Sequence, residues 1–349
     1  TSHALVDVLN LWHKAPDEKN SVRVVFIDYK KAFDHVDHTT VLTKMINMGI
    51  PDFIIQWMFS FLSQRRQRVK IGNYLSDWIT LNGSMPQGTW LGLYVFLILI
   101  NDLNPSVAAH KYVDDVTLSE VLSRNETSKM QSVIDHVADW SVQNYMNINT
   151  NKTKEMLLGS IAGNPPSPLS VAGQEVERVT EFKLLGVTIT DNLKWENNTA
   201  IICSKAAKRL HFLKLLKRSG VVSQDLLFYY KTVIRPVMEY ACLTWQSSIT
   251  NGQIDDIDAI QRRALNIINS NSNNQSISVT PLKERRQHQA KRFFKLMLSD
   301  SNSLHNVLPA VRDKQLINRL RNPYQRPVPF ARTERYKRSF ITNALANYQ

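Results

Sequence analysis

The chain has 349 residues, enough for two or three domains with a sizeable core, and its 43% hydrophobic and 21% charged content is that of an ordinary globular protein. A formal net charge of +13 favours polyanionic partners, nucleic acid before anionic membrane. Two cysteines, Cys203 and Cys242, argue against a disulfide framework or a zinc knuckle and suit a reducing compartment, while the longest apolar run, Trp90 to Ile100, is too short to span a bilayer.

The apolar spacing of Leu5, Val8, Leu9 and Trp12 predicts a helix over residues 3–15, followed by a polar turn at Pro16 to Asn20. The β-branched run 22–27 reads as a buried strand ending at Asp28. Thr39 is placed to cap a helix that Gly49 stops near Met48, and Pro51 opens another through about Leu62. Residues 65–71 are basic and extended, with Gly72-Asn73 as a turn. Gly83 to Gly88 is a loop by its punctuation. The helix expected from Thr89 to about Leu103 is apolar on every side, which predicts burial all round. Helical spacing recurs over 126–146, and short strands are expected at 154–158, 169–172 and 182–189, with a Pro/Gly linker at 163–168. From Trp195 the pattern turns helical: 199–217, 223–245 broken near Pro236, and 252–269, before an Asn/Ser-rich linker at 270–278. Residues 281–349 carry 15 Lys and Arg against 4 Asp and Glu, nearly the whole positive excess. Such a run is ordinarily a solvated tail; interleaved Phe293, Phe294, Tyr324, Phe330 and Tyr336 make nucleic-acid contact the competing reading.

The most chemical stretch is Tyr112-Val113-Asp114-Asp115, two carboxylates between apolar runs, the composition of a tight hairpin with acids at its tip. Neighbouring side chains alternate on a strand, so both acids converge only at a turn. Their mutual repulsion is relieved by a bound divalent cation, and aspartates are the oxygen donors that Mg²⁺ prefers. A solvated Asp-Asp turn is the bland alternative. Two-metal phosphoryl transfer holds its cations roughly 3.5–4 Å apart and needs a further acid from a neighbouring element. Asp28 suits that place at a strand end, with Asp34 and Asp37 as alternatives in the polar segment beyond it.

Phe26-Ile27-Asp28-Tyr29-Lys30-Lys31-Ala32-Phe33-Asp34-His35-Val36-Asp37-His38 resembles the first catalytic motif of reverse transcriptases of non-LTR (LINE-type) retrotransposons. Gly83 to Gly92, running on to Ile100-Asn101-Asp102-Leu103, resembles that family's Pro-Gln-Gly motif and its helix. Tyr112-Val113-Asp114-Asp115 is similar to its Tyr-Ala-Asp-Asp box, Asn149 to Met156 to its next motif, and Phe182 to Trp195 to its primer grip. Five motifs in order carry far more information than a Tyr-x-Asp-Asp pattern alone.

The resemblance implies an α+β fold: a polymerase palm of antiparallel sheet backed by helices, with partial fingers, over 1–200; a helical thumb over 201–270; and a linker with a basic C-terminal segment over 271–349. It implies RNA-directed DNA synthesis from an RNA template, a DNA primer and dNTPs, with two Mg²⁺ ions, or Mn²⁺, on Asp28, Asp114 and Asp115. Phe33 would lie under the incoming sugar and exclude a 2′-hydroxyl, Gln87 and Gly88 would contact template and nucleotide, and Tyr112 would border the nucleotide. Lys152 would protonate the departing pyrophosphate. A packed core aromatic and a solvated surface lysine are the plain readings of Phe33 and Lys152. Val113, Thr89 and Leu93 depart from the family's usual alanine, serine and proline. Thr1-Ser2-His3 reads as the start of a fragment lacking upstream fingers and endonuclease segments. The rival expectation is a remnant that binds nucleic acid without catalysis; a metal-dependent nuclease shares the acids but leaves the Pro-Gln-Gly loop unexplained. No membrane partner is expected, and cytoplasm and nucleus both suit the chemistry.

Overall fold

The computed structural model describes the chain except residues 82, 87, 271–276 and 318–323, with 314 and 316 described by backbone alone. Contacts divide it into two units, Ser21–Val179 and a second made of Thr1–Asn20 with Thr180–Gln349. This division differs from the expected parts 1–200, 201–270 and 271–349, which follow motif extents. The first helix, α1 (Ser2–Asp17), belongs to the second unit.

The Ser21–Val179 unit is built on a five-stranded sheet. Strand β1 (Ser21–Ile27) is buried at all seven positions, as its Val/Ile-rich composition suits a central strand. It lies between β3 (Asp115–Leu122) and β4 (Lys154–Leu158), with β2 (Ala108–Tyr112) and β5 (Glu177–Arg178) at the edges. Every pairing is antiparallel except β4 with β5. Helices α2 (His38–Asn47), α3 (Asp52–Leu62), α4 (Trp90–Ile100) and α5 (Met130–Gln143) contribute to one apolar cluster with Val25 and Ile27 of β1. Between α3 and α4 the basic stretch folds into two short strand pairs, Arg65–Gln67 with Ile79–Leu81 and Lys70–Ile71 with Tyr74–Leu75, turning at Gly72.

Two local expectations change here. Helix α2 is capped by Asp37, not Thr39: the Asp37 carboxylate accepts from the Thr40 N–H and hydroxyl, each at 2.7 Å. Helix α4 is not buried all round. Val95, Phe96, Leu99 and Ile100 face the core, while Trp90 is 82% exposed and Leu93, Tyr94 and Leu97 are exposed beside it. An all-apolar composition hides which side has a partner, because periodicity is the only signal that separates the faces.

The second unit is helical around one hairpin, Glu181–Leu184 with Val187–Thr190, where a single strand is expected; Leu185 and Gly186, at φ +46° and +84°, make its turn. Helix α6 (Glu196–Arg218) packs against α10 (Asn251–Asn269), with α7 (Ser223–Tyr229) beside them. The expected break near Pro236 takes the form of a π-helical turn at Tyr230–Ile234 directly before α8 (Arg235–Glu239): the helical run continues through it, and Pro236 has no N–H to give to the ladder. The chain turns at Ala241, φ +47°, before α9 (Cys242–Trp245).

Residues 281–349 are not a solvated tail. Helix α11 (Leu282–Met297) buries Leu282, Ala290, Phe294 and Met297. After the short helices α12 (Lys314–Ile317) and α13 (Glu334–Lys337), helix α14 (Phe340–Asn347) buries Phe340, Ile341, Ala344 and Leu345. Charge dominates the composition of this segment and masks its 3.6-residue apolar period.

Helix α1 joins this unit through a buried imidazole. His13 lies among Thr244, Ser339 and Phe340, and its Nδ1 has no hydrogen-bond partner among the described residues. Burial, and then the nearby Arg335 charge, lower its pKa from 6.5 to about 3. The unfolded chain therefore binds a proton that the folded chain refuses, so stability is full above about pH 6.5 and falls between there and about pH 3. Urea unfolding at pH 7 and pH 5 should differ by about 2 kcal/mol from this group, and His13→Leu should flatten that acid limb. An unchanged pH profile in the variant would remove His13 as its source.

Candidate active site

The sheet register brings the acids together. Ile27 of β1 pairs with Val116 of β3, so one further step sets Asp28 opposite Asp115. Asp115 also pairs with Tyr112 across the β2–β3 hairpin, leaving Val113-Asp114 as a two-residue turn. Val113 has φ +59° and Asp114 does not share the positive sign, the pattern of a II′ hairpin. A β-branched residue in that region costs on the order of 1–3 kcal/mol, so the turn is held by its surroundings.

The electrostatics record the same convergence. The Asp115 carboxyl is raised above its ordinary value by burial first, then by the charges of Asp114 and Asp28. Oδ2 of Asp28 is buried without a hydrogen-bond partner among the described residues. The Lys152 ammonium stands 3.9 Å from it, mostly in solvent. Lys152 is delivered by the 149–153 segment, which clasps the same strand end: Asn149 N–H donates to the Asp28 carbonyl (2.7 Å), and Asp28 N–H reaches the Thr153 hydroxyl (3.4 Å). Of the alternative acids, Asp37 is occupied as a helix cap and Asp34 lies exposed in the following turn.

Among the described residues no three His, Cys, Asp or Glu side chains close around a point that could hold a metal ion. The donor chemistry nevertheless suits a hard divalent cation. Asp28 offers an unsatisfied oxygen, and Asp115 carries an electrostatic cost that a cation beside it would relieve.

A cleft of about 430 Å³ is lined by Phe33, Pro86, Gly88, Thr89, Trp90 and Leu93. Phe33 is part-buried and stacks on Phe96 of α4 (ring centroids 5.1 Å apart). The loop before α4 is tied to the 33–38 segment: Met85 N–H donates to the Phe33 carbonyl (2.8 Å), Ser84 N–H to the Val36 carbonyl (2.9 Å), and His38 Nε2 meets the Ser84 carbonyl (2.8 Å). Thr89 caps α4, accepting from Gly92 N–H and donating to the Pro86 carbonyl. A Cβ on Gly92 would stand 2.7 Å from that same carbonyl, which is why only glycine fits there. Tyr112 is 37% exposed at the end of β2. Gln87 lies outside the described residues.

Several positioning groups escape the motifs. Lys111, next to Tyr112, donates to the carbonyls of Ile100, Asn101 and Leu103, fastening the hairpin to the C-terminal end of α4. Lys44 donates to Asp102 and to the Leu99 carbonyl, and Asp102 also accepts from the Trp140 indole. The basic residue before Tyr112 and the acid after Asn101 are the only signals the sequence offers for this clasp. Deeper in the sheet, Arg23 of β1 donates to Glu155 of β4 (2.5 Å), to the Ser128 hydroxyl and to the Ser167 carbonyl, and Arg178 reaches the other Glu155 oxygen (2.8 Å).

Residues 2–189 match the family described as Reverse transcriptase (RNA-dependent DNA polymerase), and the chain belongs to it. Its relatives include RNA-directed DNA polymerases of transposable elements. It is 24% identical over 266 residues to the probable RNA-directed DNA polymerase from transposon X-element of Drosophila melanogaster, covering 73% of this chain and 29% of that protein. To the RNA-directed DNA polymerase from mobile element jockey of the same fly it is 21% identical over 332 residues, 88% of this chain and 36% of that protein. The chain thus spans about a third of the length of these curated relatives. Among solved structures, apo telomerase from Candida tropicalis aligns over 86% of this chain and 55% of its own, at 12% identity and a TM-score of 0.42.

Because Glu155 neutralises Arg23 inside the sheet, Glu155→Ala should cost about 3–5 kcal/mol in urea unfolding. Replacing both Arg23 and Glu155 with leucine should recover part of that loss. Equal losses in the single and double variants would mean that the pair is not what holds β1 to β4.

Proposed function

We propose that Ser21–Val179 is the polymerase palm of an RNA-directed DNA polymerase, with a thumb in the helices after residue 200. The observation that carries this reading is the meeting of Asp28 with Asp114 and Asp115 where β1, β2 and β3 end, in a chain of the reverse transcriptase family. In this reading Asp28, Asp114 and Asp115 hold two Mg²⁺ ions, with Mn²⁺ as the alternative. When bound, the ions would activate the primer 3′-hydroxyl and neutralise charge on the leaving pyrophosphate.

The chain's own groups then have distinct tasks. The three carboxylates present oxygens from the ends of two strands and from the hairpin turn. Lys152, with an exposed ammonium beside Asp28, delivers a proton to the departing pyrophosphate oxygen. Phe33, fixed by Phe96 at the edge of the cleft, sits under the sugar of the incoming dNTP, where a rigid ring leaves no room for a 2′-hydroxyl. Gly88, at φ +82°, lets the backbone approach the template strand, with Gln87 beside it and Tyr112 bordering the nucleotide. The template is RNA and the extended primer DNA.

Primer extension on an RNA template with Mg²⁺ tests the assignment. Asp114→Asn should lower extension at least about a hundredfold without changing the melting temperature by more than a few degrees. Retained extension removes these acids from the chemistry, and a wild-type chain that binds RNA without ever extending a primer favours the binding-only remnant. In an active enzyme, Phe33→Ala should raise ribonucleotide incorporation relative to deoxynucleotide by about tenfold or more. Unchanged sugar discrimination would make Phe33 a packing residue alone.

A further inference from the structure

Residues 281–349 hold most of the net positive charge, and the proposed polymerase chemistry uses none of it. Within their unit, α11 and α14 pack through Phe293 against Phe340, ring centroids 5.5 Å apart. The same helices and the turn after α9 border a groove of about 730 Å³. Its frame is hydrogen-bonded: Gln246 donates to the Arg286 carbonyl (3.0 Å), and the Ser247 and Ser248 hydroxyls donate to the Arg338 carbonyl (2.7 and 3.0 Å).

The lining is rich in donors. Lys283 and Lys291 lie two turns apart on one face of α11, about 12 Å along its axis. Arg338 stands before α14, and Asn343 and Asn347 follow one turn apart on that helix. Glu284 is the one acid among the lining residues. Arg338 meets Glu334 at 3.4 Å, but both are half or more exposed, so a phosphate can compete for it. Arg286, also in the lining, is buried with Nη1 unpartnered among the described residues and its ion pair to Asp258 stretched to 3.7 Å. A positive charge in a low-dielectric wall directs its field into the adjoining groove.

We propose that this groove binds the sugar-phosphate backbone of single-stranded RNA, a role that rests on the reading of this chain as an enzyme working on an RNA template. Cations and amide donors in one groove suit a strand of phosphates and hydroxyl-bearing sugars. The two lysines span about three stacked nucleotides at about 3.4 Å each. Three phosphate contacts place the expected salt dependence within reach of measurement.

The test is fluorescence anisotropy of a labelled, unstructured oligouridylate with the full chain across a salt series. The triple variant Lys283→Gln, Lys291→Gln, Arg338→Gln should bind about tenfold or more weakly and lower the salt slope by about 2. A control that removes the same formal charge from exposed positions elsewhere in the unit, Lys208→Gln, Lys214→Gln, Lys231→Gln, should lose much less. Photo-cross-links from 4-thiouridine RNA should map to peptides of α11 and α14. Wild-type affinity in the groove variant, an equal loss in the control, cross-links confined to other segments, or polyglutamate binding as tightly as RNA would each overturn the proposal. Binding is read without catalysis, so a failure here is distinct from a failure of primer extension by the wild-type chain.

Discussion

The pairing of β1 with β3 is the constraint on which the rest of the site depends. With Ile27 opposite Val116, the acids at the ends of two different strands meet; a slip of one residue would send every side chain of one strand to the other face of the sheet. Burial of all seven β1 residues makes that slip expensive, because buried side chains would lose the neighbours they are packed against. Arg23 and Glu155 add a second pin on the opposite side of β1, since a shifted register would strand a buried charge. The chemistry is thus positioned by packing that lies several residues away from it.

Two features meet at the aspartate hairpin: burial and the charges of Asp114 and Asp28 raise the pKa of Asp115, and the turn before it carries a β-branched residue, Val113, at positive φ.

Local reading of the chain found β1, the acidic hairpin and Asp28 because each rests on short-range signals: a β-branched run, a turn flanked by apolar residues, an acid where a strand stops. It preferred Asp28 and kept Asp34 and Asp37 as alternatives, since only the structure assigns Asp37 to the cap of α2. Other features were illegible for physical reasons. The exposed side of α4 has the same composition as its buried side. The turn at Leu185-Gly186 was hidden inside an apolar run that reads as one strand. The clasp of Lys111 on α4 joins residues that are near in sequence but lie on different elements, and no periodicity announces it. In residues 281–349 abundant charge concealed the apolar faces of α11 and α14.

The three hydrogen bonds from Lys111 have a mechanical consequence. Helix α4 borders the Phe33 cleft with its N-terminal turn, and the carbonyls at its other end are held by the Lys111 ammonium, on the strand that leads into the aspartate turn. A molecule wedged between Phe33 and Trp90 would push on the front of a stiff rod whose far end is fastened to the hairpin. It could misalign the carboxylates without touching them, so the exposed flank of α4 is a handle on the chemistry as well as a wall of the cleft.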